Sequence, residues 1–389
     1  MLVRHLSLSD FRNYDSAELD LVEGPNVFVG SNGQGKTNLV EALGFLSTLG
    51  SHRVSTDHAM IRQGRDSAIV RARLESGDRQ ILAEVQINRT GANRAQINRS
   101  AIKIRELPRY FSSVLFAPED LALVRGEPSG RRRFMDELLV LRTPRMSGVM
   151  SDYERVLKQR NTLLKSARAV RNPDLTTLDI WNERLVAFGS EIIEARGALI
   201  AELQPEVSAA YAAIAGEEQS ATLASFLSIR SQSTDEADEP SADATSRAPI
   251  TAAEAAVDFE NSLARLRRAE LERGLTLSGP HRDDLVLTLN DMPARGYASH
   301  GESWSFALSL KLAAATVLRR ESQSGDPVLV LDDVFAELDE SRRNRLAAAI
   351  DGFEQVLITA AVLDDVPEPL SAHIVHINAG RIVEEGLDG

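Results

Sequence analysis

Short apolar runs of strand type, separated by turn residues, fill most of the first quarter of the chain. One stretch of helical composition interrupts them after the third run. Turns that contain glycine, at 77–78 and 91–93, divide the later runs, so this part predicts an antiparallel meander. The predicted strands are 2–8, 17–21, 26–29, 67–75, 80–88 and 101–104, and the predicted helix is 37–49.

The apolar spacing changes from strand type to helix type at about Pro118. The segment 231–249 interrupts this helical part with five acids, two prolines and no large apolar residue, a composition typical of a disordered or mobile linker. We therefore predict an inserted helical arm domain at 131–275, which includes the linker, between two parts of one head domain, 1–130 and 276–389. The predicted helices are 119–125, 131–141, 151–170, 178–203 and 252–271.

An apolar run that ends in two acids, at 327–333, dominates the last part of the chain. An uninterrupted run of this kind suits a strand that is buried on both faces of a parallel sheet. A helix is predicted before it, at 303–320, and another core strand after it, at 355–359. The tail, 373–383, has the pattern of a hairpin. Strands and helices therefore alternate here, which predicts an α/β fold.

The composition excludes several classes of protein. The chain has 389 residues, a formal net charge of −13 and no cysteine. Without cysteine there is no disulfide framework and no zinc–thiolate site, and a reducing, cytoplasmic location is expected. No apolar run has the length of a transmembrane helix, and the first residues lack the apolar segment of a signal peptide, so no membrane partner is expected.

Basic residues are concentrated in three places, although the chain as a whole is acidic. Any one of these clusters could be ordinary solvated surface. Three of them in so acidic a chain indicate segregated charge, which is typical of a nucleic-acid footprint. The clusters are Arg89, Arg94, Arg99, Lys103, Arg105 and Arg109; Arg131, Arg132 and Arg133; and Arg155, Lys158, Arg160, Lys165, Arg168 and Arg171.

Residues 30–37 read GSNGQGKT and match the phosphate-binding pattern G-x-x-x-x-G-K-[ST]. A predicted strand precedes this P-loop and a predicted helix follows it, as a phosphate cradle requires. Lys36 is expected to bind the β- and γ-phosphates of ATP and to act in catalysis, and the Thr37 hydroxyl suits Mg²⁺. The predicted nucleotide-binding residues of the loop are Gly30, Ser31, Asn32, Gly33, Gln34, Gly35, Lys36 and Thr37.

Two further motifs complete the candidate site. Asp332, at the tip of the apolar strand, is expected to hold Mg²⁺ through water, and Asp333 to polarise the attacking water. Ser299 and Gly301 precede a predicted helix, and a serine and a glycine at a helix N-terminus favour anion binding. These two residues are therefore predicted to contact ATP.

The order of these motifs, with an A-E-L-D loop at 336–339, resembles that of the ATP-binding-cassette superfamily. Stretches at 11–14, 116–136 and 278–284 (SGPHRDD) resemble signatures of the RecF family of bacterial recombination-mediator ATPases. The resemblance covers nearly the full length, apart from 231–249. It implies an α/β P-loop NTPase of the ATP-binding-cassette type, with an antiparallel β meander and an inserted helical arm domain.

The resemblance also implies a function. It implies an ATP-dependent homodimer on single-stranded and gapped or junction duplex DNA, weak DNA-stimulated ATP hydrolysis, and loading of the recombinase at single-strand gaps with RecO and RecR. Arg12 is implied to contact the nucleotide, although a structural arginine fits equally well. Glu302 stands where glutamine is more usual and Thr359 where transporters have a switch histidine, so slow hydrolysis is expected. The sequence does not identify the glutamine that contacts Mg²⁺ in such proteins.

Three alternative functions come from other classes. A cytosolic motor subunit of a transporter is disfavoured by the long separation between Thr37 and Ser299 and by the missing switch histidine. A DNA clamp with dead ATPase chemistry is disfavoured by the intact Lys36, Asp332 and Asp333. A nuclease fused to a cassette ATPase would need a second cluster of metal ligands, and the sequence offers none.

Overall fold

The computed structural model describes residues 1–54, 56–168, 175–232, 244–322 and 325–383. Within these ranges no helix has the length and apolarity that crossing a membrane requires. The strands are β1 (Leu2–Phe11), β2 (Tyr14–Asp20), β3 (Gly24–Val29), β4 (Ser67–Ser76), β5 (Arg79–Asn88), β6 (Arg94–Ile97), β7 (Ser100–Ile102), β8 (Ser113–Phe116), β9 (Ala221–Phe226), β10 (Thr245–Ser246), β11 (Asp284–Leu289), β12 (Met292–Pro293), β13 (Val328–Asp332), β14 (Gln355–Ala360), β15 (Ile374–Asn378) and β16 (Arg381–Val383). The helices are α1 (Lys36–Thr48), α2 (Leu121–Arg125), α3 (Pro128–Arg142), α4 (Met146–Arg168), α5 (Leu178–Ala215), α6 (Ala252–Arg273), α7 (Ala294–Tyr297), α8 (His300–Glu321) and α9 (Glu340–Ile350).

The chain divides into two compact units. The first contains Met1–Leu121, Ala209–Gln219 and Ser299–Gly389, and the second contains Ala122–Ser208 and Ser220–Ala298. The domain limits drawn from the sequence, with the arm at 131–275, remain a proposal.

A six-stranded sheet in the first unit, in the order β16-β15-β3-β14-β13-β8, carries the candidate site. Neighbouring strands run parallel except for the final hairpin of β15 and β16. Every residue of β13 is buried, because helices or the second sheet must cover both faces of a parallel sheet. The ends of β3 and β13 lie at the same edge, with β14 between them, so the P-loop and Asp332 share that edge. The predicted α/β fold class and parallel core strand are confirmed.

The second sheet of this unit is antiparallel, in the order β2-β1-β4-β5-β6-β7. Strand β4 alternates buried and partly buried positions, so that one face packs on the core. The strands from β4 to β7 form the predicted meander by consecutive hairpins, whereas β1 pairs with β4 across a long stretch of chain. The sequence missed β6, because four residues with two polar side chains give too short a pattern to recognise.

The second unit combines long helices with a four-stranded sheet, in the order β10-β9-β11-β12. The helical prediction missed this sheet, because β9 is paired with β11, which lies far along the chain. Helix α6 begins where predicted, with a capping box between Thr251 and Glu254, and ends at Gly274 in the left-handed conformation. Of the predicted linker 231–249, residues 233–243 lie outside the described residues, and β10 lies in the remainder.

Candidate functional site

The P-loop connects β3 to α1. Lys36 is buried, and its Nζ donates to the carbonyl oxygens of Gly30 at 2.7 Å and Ser31 at 3.4 Å, so the ammonium is held against the loop that would take the phosphates. Gly35 has φ of 120°, and a Cβ there would lie 2.7 Å from Asn13 Nδ2, so neither the backbone nor the space admits a side chain. The loop is formed by Gly30, Ser31, Asn32, Gly33, Gln34 and Gly35, directly before Lys36 and Thr37.

Two distant segments support the P-loop from outside. The carbonyl oxygen of Gln34 accepts hydrogen bonds from Asn13 Nδ2 at 3.0 Å and from the backbone N–H of Gly380 at 2.9 Å. The buried hydroxyl of Tyr14 donates to the carbonyl oxygen of Gly35 at 3.1 Å. The sequence predicts a family signature at 11–14 and a hairpin at 373–383, but not the contact of either segment with the loop. Their hydrogen bonds fix the loop's shape.

The acids at the end of β13 meet the start of α1. Thr37 Oγ1 donates to Asp332 Oδ1 at 3.0 Å, so the two predicted Mg²⁺ ligands lie together. Thr359 Oγ1, at the end of β14, donates to the same oxygen at 2.6 Å and accepts from the backbone N–H of Asp333 at 2.9 Å. Asp333 has φ of 51°, a conformation that non-glycine residues rarely adopt. Thr359 therefore connects both acids, and it is a residue of the site whose role the sequence did not reveal.

The electrostatics of Asp332 suit a cation site. Burial raises the pKa of Asp332 to about 6. The negative charges of Asp333 and Glu119 raise this pKa further, and hydrogen bonds from Thr359 and Thr37 lower it only in part. Glu119 follows β8, the strand that pairs with β13, and the sequence did not identify it as part of this site. A cation bound there would favour the ionised form of Asp332.

Arg12 is engaged in a buried ion pair. Its Nε and Nη2 donate to the two carboxylate oxygens of Glu41 at 2.8 and 2.5 Å, and its Nη1 donates to the carbonyl oxygen of Ala59 at 2.8 Å. Burial alone would raise the pKa of Glu41, but hydrogen bonds from Arg12 and Ser51 outweigh it and hold that pKa below its ordinary value. These bonds provide the structural role that the sequence left open, and contact with a nucleotide stays a prediction.

A cleft of about 740 Å³ opens beside the P-loop. Its walls include Asn13, which donates to Gln34 of the loop, and Asn38, which directly follows Thr37. Four arginines and Asp66 line part of the remainder, so the wall of the cleft is polar and offers hydrogen-bonding groups to a ligand. The arginines that line it are Arg12, Arg53, Arg65 and Arg89.

The signature segment, 299–302, caps α8. Ser299 Oγ accepts from the backbone N–H of Glu302 at 3.3 Å, and the Glu302 carboxylate accepts from the backbone N–H of Ser299 at 2.7 Å. A Cβ at Gly301 would lie 2.6 Å from Nη1 of Arg342, so glycine makes room for this guanidinium. No hydrogen bond or ion pair within the described ranges joins Ser299 or Gly301 to the P-loop of the same chain.

The basic clusters differ in exposure. The cluster at 89–109 is exposed, including Arg94, Arg99 and Lys103. Arg131 and Arg160 are buried in ion pairs, Arg131 with Asp284 at 2.7 Å and Arg160 with Glu270 at 2.5 Å. These two arginines were wrongly counted as surface charge, because a basic residue's partner cannot be read from its neighbours in sequence. Arg171 lies outside the described residues.

The parallel sheet, the glycine-rich loop and the paired Thr37 and Asp332 define a P-loop ATPase of the ATP-binding-cassette type. Residues 2–368 match the family model described as RecF/RecN/SMC N terminal domain. A "DNA replication and repair protein RecF" from Clavibacter sepedonicus is 65% identical over 390 residues, which cover 99% of this chain and 95% of that relative. The chain therefore belongs to the RecF family.

Two solved structures resemble this one to different degrees. One, described as "Structure of the recombination mediator protein RecF-ATP in RecFOR pathway", has a TM-score of 0.85 and 26% identity, and covers 99% of this chain and 97% of that chain. The Smc head domain of Pyrococcus furiosus has a TM-score of 0.54 and 16% identity over 98% of this chain and 95% of that chain. The second similarity concerns the fold alone.

Proposed function

We propose that this protein is an ATP-dependent DNA-binding protein of recombinational repair and replication, which dimerises on DNA with ATP and helps to load the recombinase at single-strand gaps. The observation that carries the proposal is the contact of Thr37 with Asp332, beside Lys36 and Asp333, in a member of the RecF family. The solved structure of a RecF with ATP, which resembles this chain over its whole length, supports ATP as the nucleotide.

The chemistry proposed for the site is hydrolysis of ATP. Lys36 exchanges its carbonyl contacts for the β- and γ-phosphates, while the backbone N–H groups of the loop and the start of α1 add further donors. The cleft lined by Asn13 and Asn38 receives the nucleoside. Asp333 accepts a hydrogen bond from the attacking water, and Thr359 holds the backbone of Asp333 in position.

The donor set at the end of β13 fits Mg²⁺. A threonine hydroxyl and a carboxylate are hard oxygen ligands, and Thr37 and Asp332 already lie at 3.0 Å from each other. Mg²⁺ held there would neutralise phosphate charge. We propose Thr37 as a direct ligand and Asp332 as a ligand through water.

Replacing Asp333 with asparagine is expected to leave ATP binding intact and to slow hydrolysis by about a hundredfold or more, the usual contribution of a positioned acid or base. Asparagine keeps the size of the side chain and removes the charge that polarises water. Single-turnover hydrolysis, measured with saturating enzyme, checks this. Hydrolysis at the wild-type rate would place the catalytic carboxylate elsewhere.

The signature segment is proposed to act on a partner subunit's ATP. Ser299 and Gly301 make no hydrogen bond or ion pair with the P-loop of their own chain in the part that the structure describes. The start of α8 offers a hydroxyl, free N–H groups and the positive end of a helix dipole to the γ-phosphate of a second subunit. Two such composite sites would form across one two-fold axis, the symmetry that most homodimers have.

The exposed cluster at 89–109 is proposed to bind the phosphate backbone of DNA. Affinity should fall steeply with salt, because each neutralised phosphate releases counterions. Changing Arg94, Arg99 and Lys103 together to glutamate is expected to weaken DNA binding and to reduce the slope of log K against log salt by about three, one per lost contact. ATP affinity should not change.

A matched control separates local contacts from net charge. Arg267, Arg268 and Arg273 are exposed on α6, and their change to glutamate alters the charge by the same amount. Fluorescence anisotropy with labelled DNA at several salt concentrations measures both variants. Equal losses in the two, or binding that salt does not affect, would contradict the proposed cluster.

The wider role rests on the family. RecO and RecR are the proposed partners, the cytoplasm is the proposed location, and hydrolysis is proposed to be weak and stimulated by DNA. DNA binding with and without ATP, compared on gapped, single-stranded and duplex DNA, tests this together with phosphate release. Preference for gapped DNA with ATP supports the proposal, whereas ATP hydrolysis without any DNA binding would favour a transporter motor.

A further inference from the structure

The signature segment is bonded to a residue that lies far from it in sequence. One oxygen of the Glu302 carboxylate accepts from the backbone N–H of Ser299, and the other accepts from Nε2 of Gln219 at 2.5 Å. Oε1 of Gln219 in turn accepts from the hydroxyl of Tyr211 at 2.7 Å. Tyr211 is fully buried, with its ring edge against Phe306 of α8 at a centroid distance of 5.8 Å. All these residues belong to the first compact unit.

Because Glu302 is ionised, it determines which group donates and which accepts in each hydrogen bond from Ser299 to Tyr211. Hydrogen bonds from Ser299 and Gln219 hold the pKa of Glu302 below its ordinary value, so its carboxylate can only accept. Gln219 must therefore present its NH₂ group to Glu302 and its oxygen to Tyr211. Tyr211 consequently donates. The C-terminal end of α5 is also held by α9, because Arg345 donates to the carbonyl oxygen of Ile214 at 3.3 Å.

We propose that Gln219 is a positioning residue for the signature segment: through Glu302 it holds Ser299 and the first turn of α8 ready for a second subunit's γ-phosphate. This inference rests on the proposed function of the signature. Ser299 Oγ accepts from the N–H of Glu302, and the Ser299 side chain also hydrogen-bonds to the Glu302 carboxylate, so Glu302 holds in position the hydroxyl that would meet a phosphate oxygen. Without Gln219, part of the ordering of this turn would have to occur on dimerisation and would weaken it.

The chemistry of the pair allows a reciprocal exchange. In Gln219→Glu, two carboxylates face each other across the former hydrogen bond. In Glu302→Gln, the side-chain amide of Gln219 can rotate so that its oxygen faces residue 302 and its NH₂ group faces Tyr211. The hydroxyl of Tyr211 then accepts instead of donating. In the double variant, a carboxylate at 219 accepts from the amide at 302 and from Tyr211, while the oxygen of that amide accepts from Ser299. The double variant therefore restores every bond.

The experiment measures the concentration of a non-hydrolysable ATP analogue that gives half-maximal dimerisation in sedimentation. Gln219→Glu is expected to raise it by about tenfold, which corresponds to about 1.4 kcal/mol. Glu302→Gln and the double variant are expected to stay within about threefold of wild type, less than 1 kcal/mol by the same relation. Affinity of the monomer for the analogue should be the same in all four proteins, because the P-loop is untouched.

Two outcomes would overturn the inference. One is a Gln219→Glu protein that dimerises at the wild-type concentration, and the other is a double variant as weak as Gln219→Glu. A role confined to folding would lower the unfolding temperature of Gln219→Glu without a separate effect on dimerisation. If the wild-type protein fails to dimerise with the analogue, the proposed function itself fails, and that result is distinct from a failure of the exchange alone.

Discussion

Changing Ser299 to arginine is expected to abolish ATP-induced dimerisation and ATP hydrolysis, while ATP binding by the monomer stays near normal. Ser299 caps α8 through its hydrogen bond with Glu302, and it forms no hydrogen bond or ion pair with the P-loop of its own chain in the described ranges. The bulky side chain would occupy the space proposed for the γ-phosphate of a second subunit. It would also bring a positive charge to the positive end of a helix dipole.

The loss should be close to complete, because ATP stabilises the dimer only by binding both halves of the composite site. Sedimentation with a non-hydrolysable ATP analogue measures it, and a phosphate-release assay measures hydrolysis. Ser322→Arg is the matched control, since it places the same cation at the exposed C-terminal end of α8, where the dipole favours positive charge. If Ser299→Arg still dimerises and hydrolyses ATP, the assignment of the signature is wrong.

Changing Lys36 to alanine is expected to weaken ATP binding by about a hundredfold, because hydrogen bonds from a charged donor contribute about 1.5–3 kcal/mol each. Lys36 supplies the positive side chain of the P-loop motif, and its Nζ lies 2.7 Å from the carbonyl oxygen of Gly30. The loss of binding should also remove dimerisation and hydrolysis, since both depend on bound ATP.

Titration with a fluorescent ATP analogue measures this change. Lys158→Ala, which removes an exposed lysine from α4, is the control for loss of one positive charge. Thermal unfolding of both variants without nucleotide separates lost phosphate contacts from damage to the loop. Unchanged affinity in Lys36→Ala would contradict the P-loop assignment.

Local patterns predicted the fold around the P-loop well. Residues 30–37 contain both the turn and the donors of the cradle, so their spacing alone identified the loop. The apolar run before Asp332 identified a strand buried on both faces, and the end of such a strand is where ligands bind in parallel sheets. The helix after Ser299 was predicted at 303–320 and lies at His300–Glu321, with Ser299 as its N-cap.

The sequence could not predict contacts between residues that lie far apart along the chain. Thr359 meets Asp332 only because β14 lies between β3 and β13 in the sheet. The bond from Tyr14 to Gly35 depends on how two sheets pack. The pairing of β9 with β11 joins strands on either side of α6, and the spacing of apolar residues along one segment carries no information about such a partner.

The remaining wrong predictions concern charged residues that are buried in the fold. Arg160 looks like a surface residue on a polar helix, but Glu270 and Thr276 receive its guanidinium inside the second unit. Such partners offset part of the cost of burying an arginine, whereas an arginine without partners would have to stay in water. Only the fold could show that those partners exist.

The central claim is that ATP joins two subunits through composite sites, each made of one subunit's P-loop and the other's signature. A mixture of Lys36→Ala and Ser299→Arg proteins tests it most directly, because each variant retains the half that the other lacks. In sedimentation with a non-hydrolysable ATP analogue, each variant alone should remain monomeric, and the mixture should form a dimer with one intact site. A mixture that stays monomeric, while wild type dimerises under the same conditions, would contradict the claim.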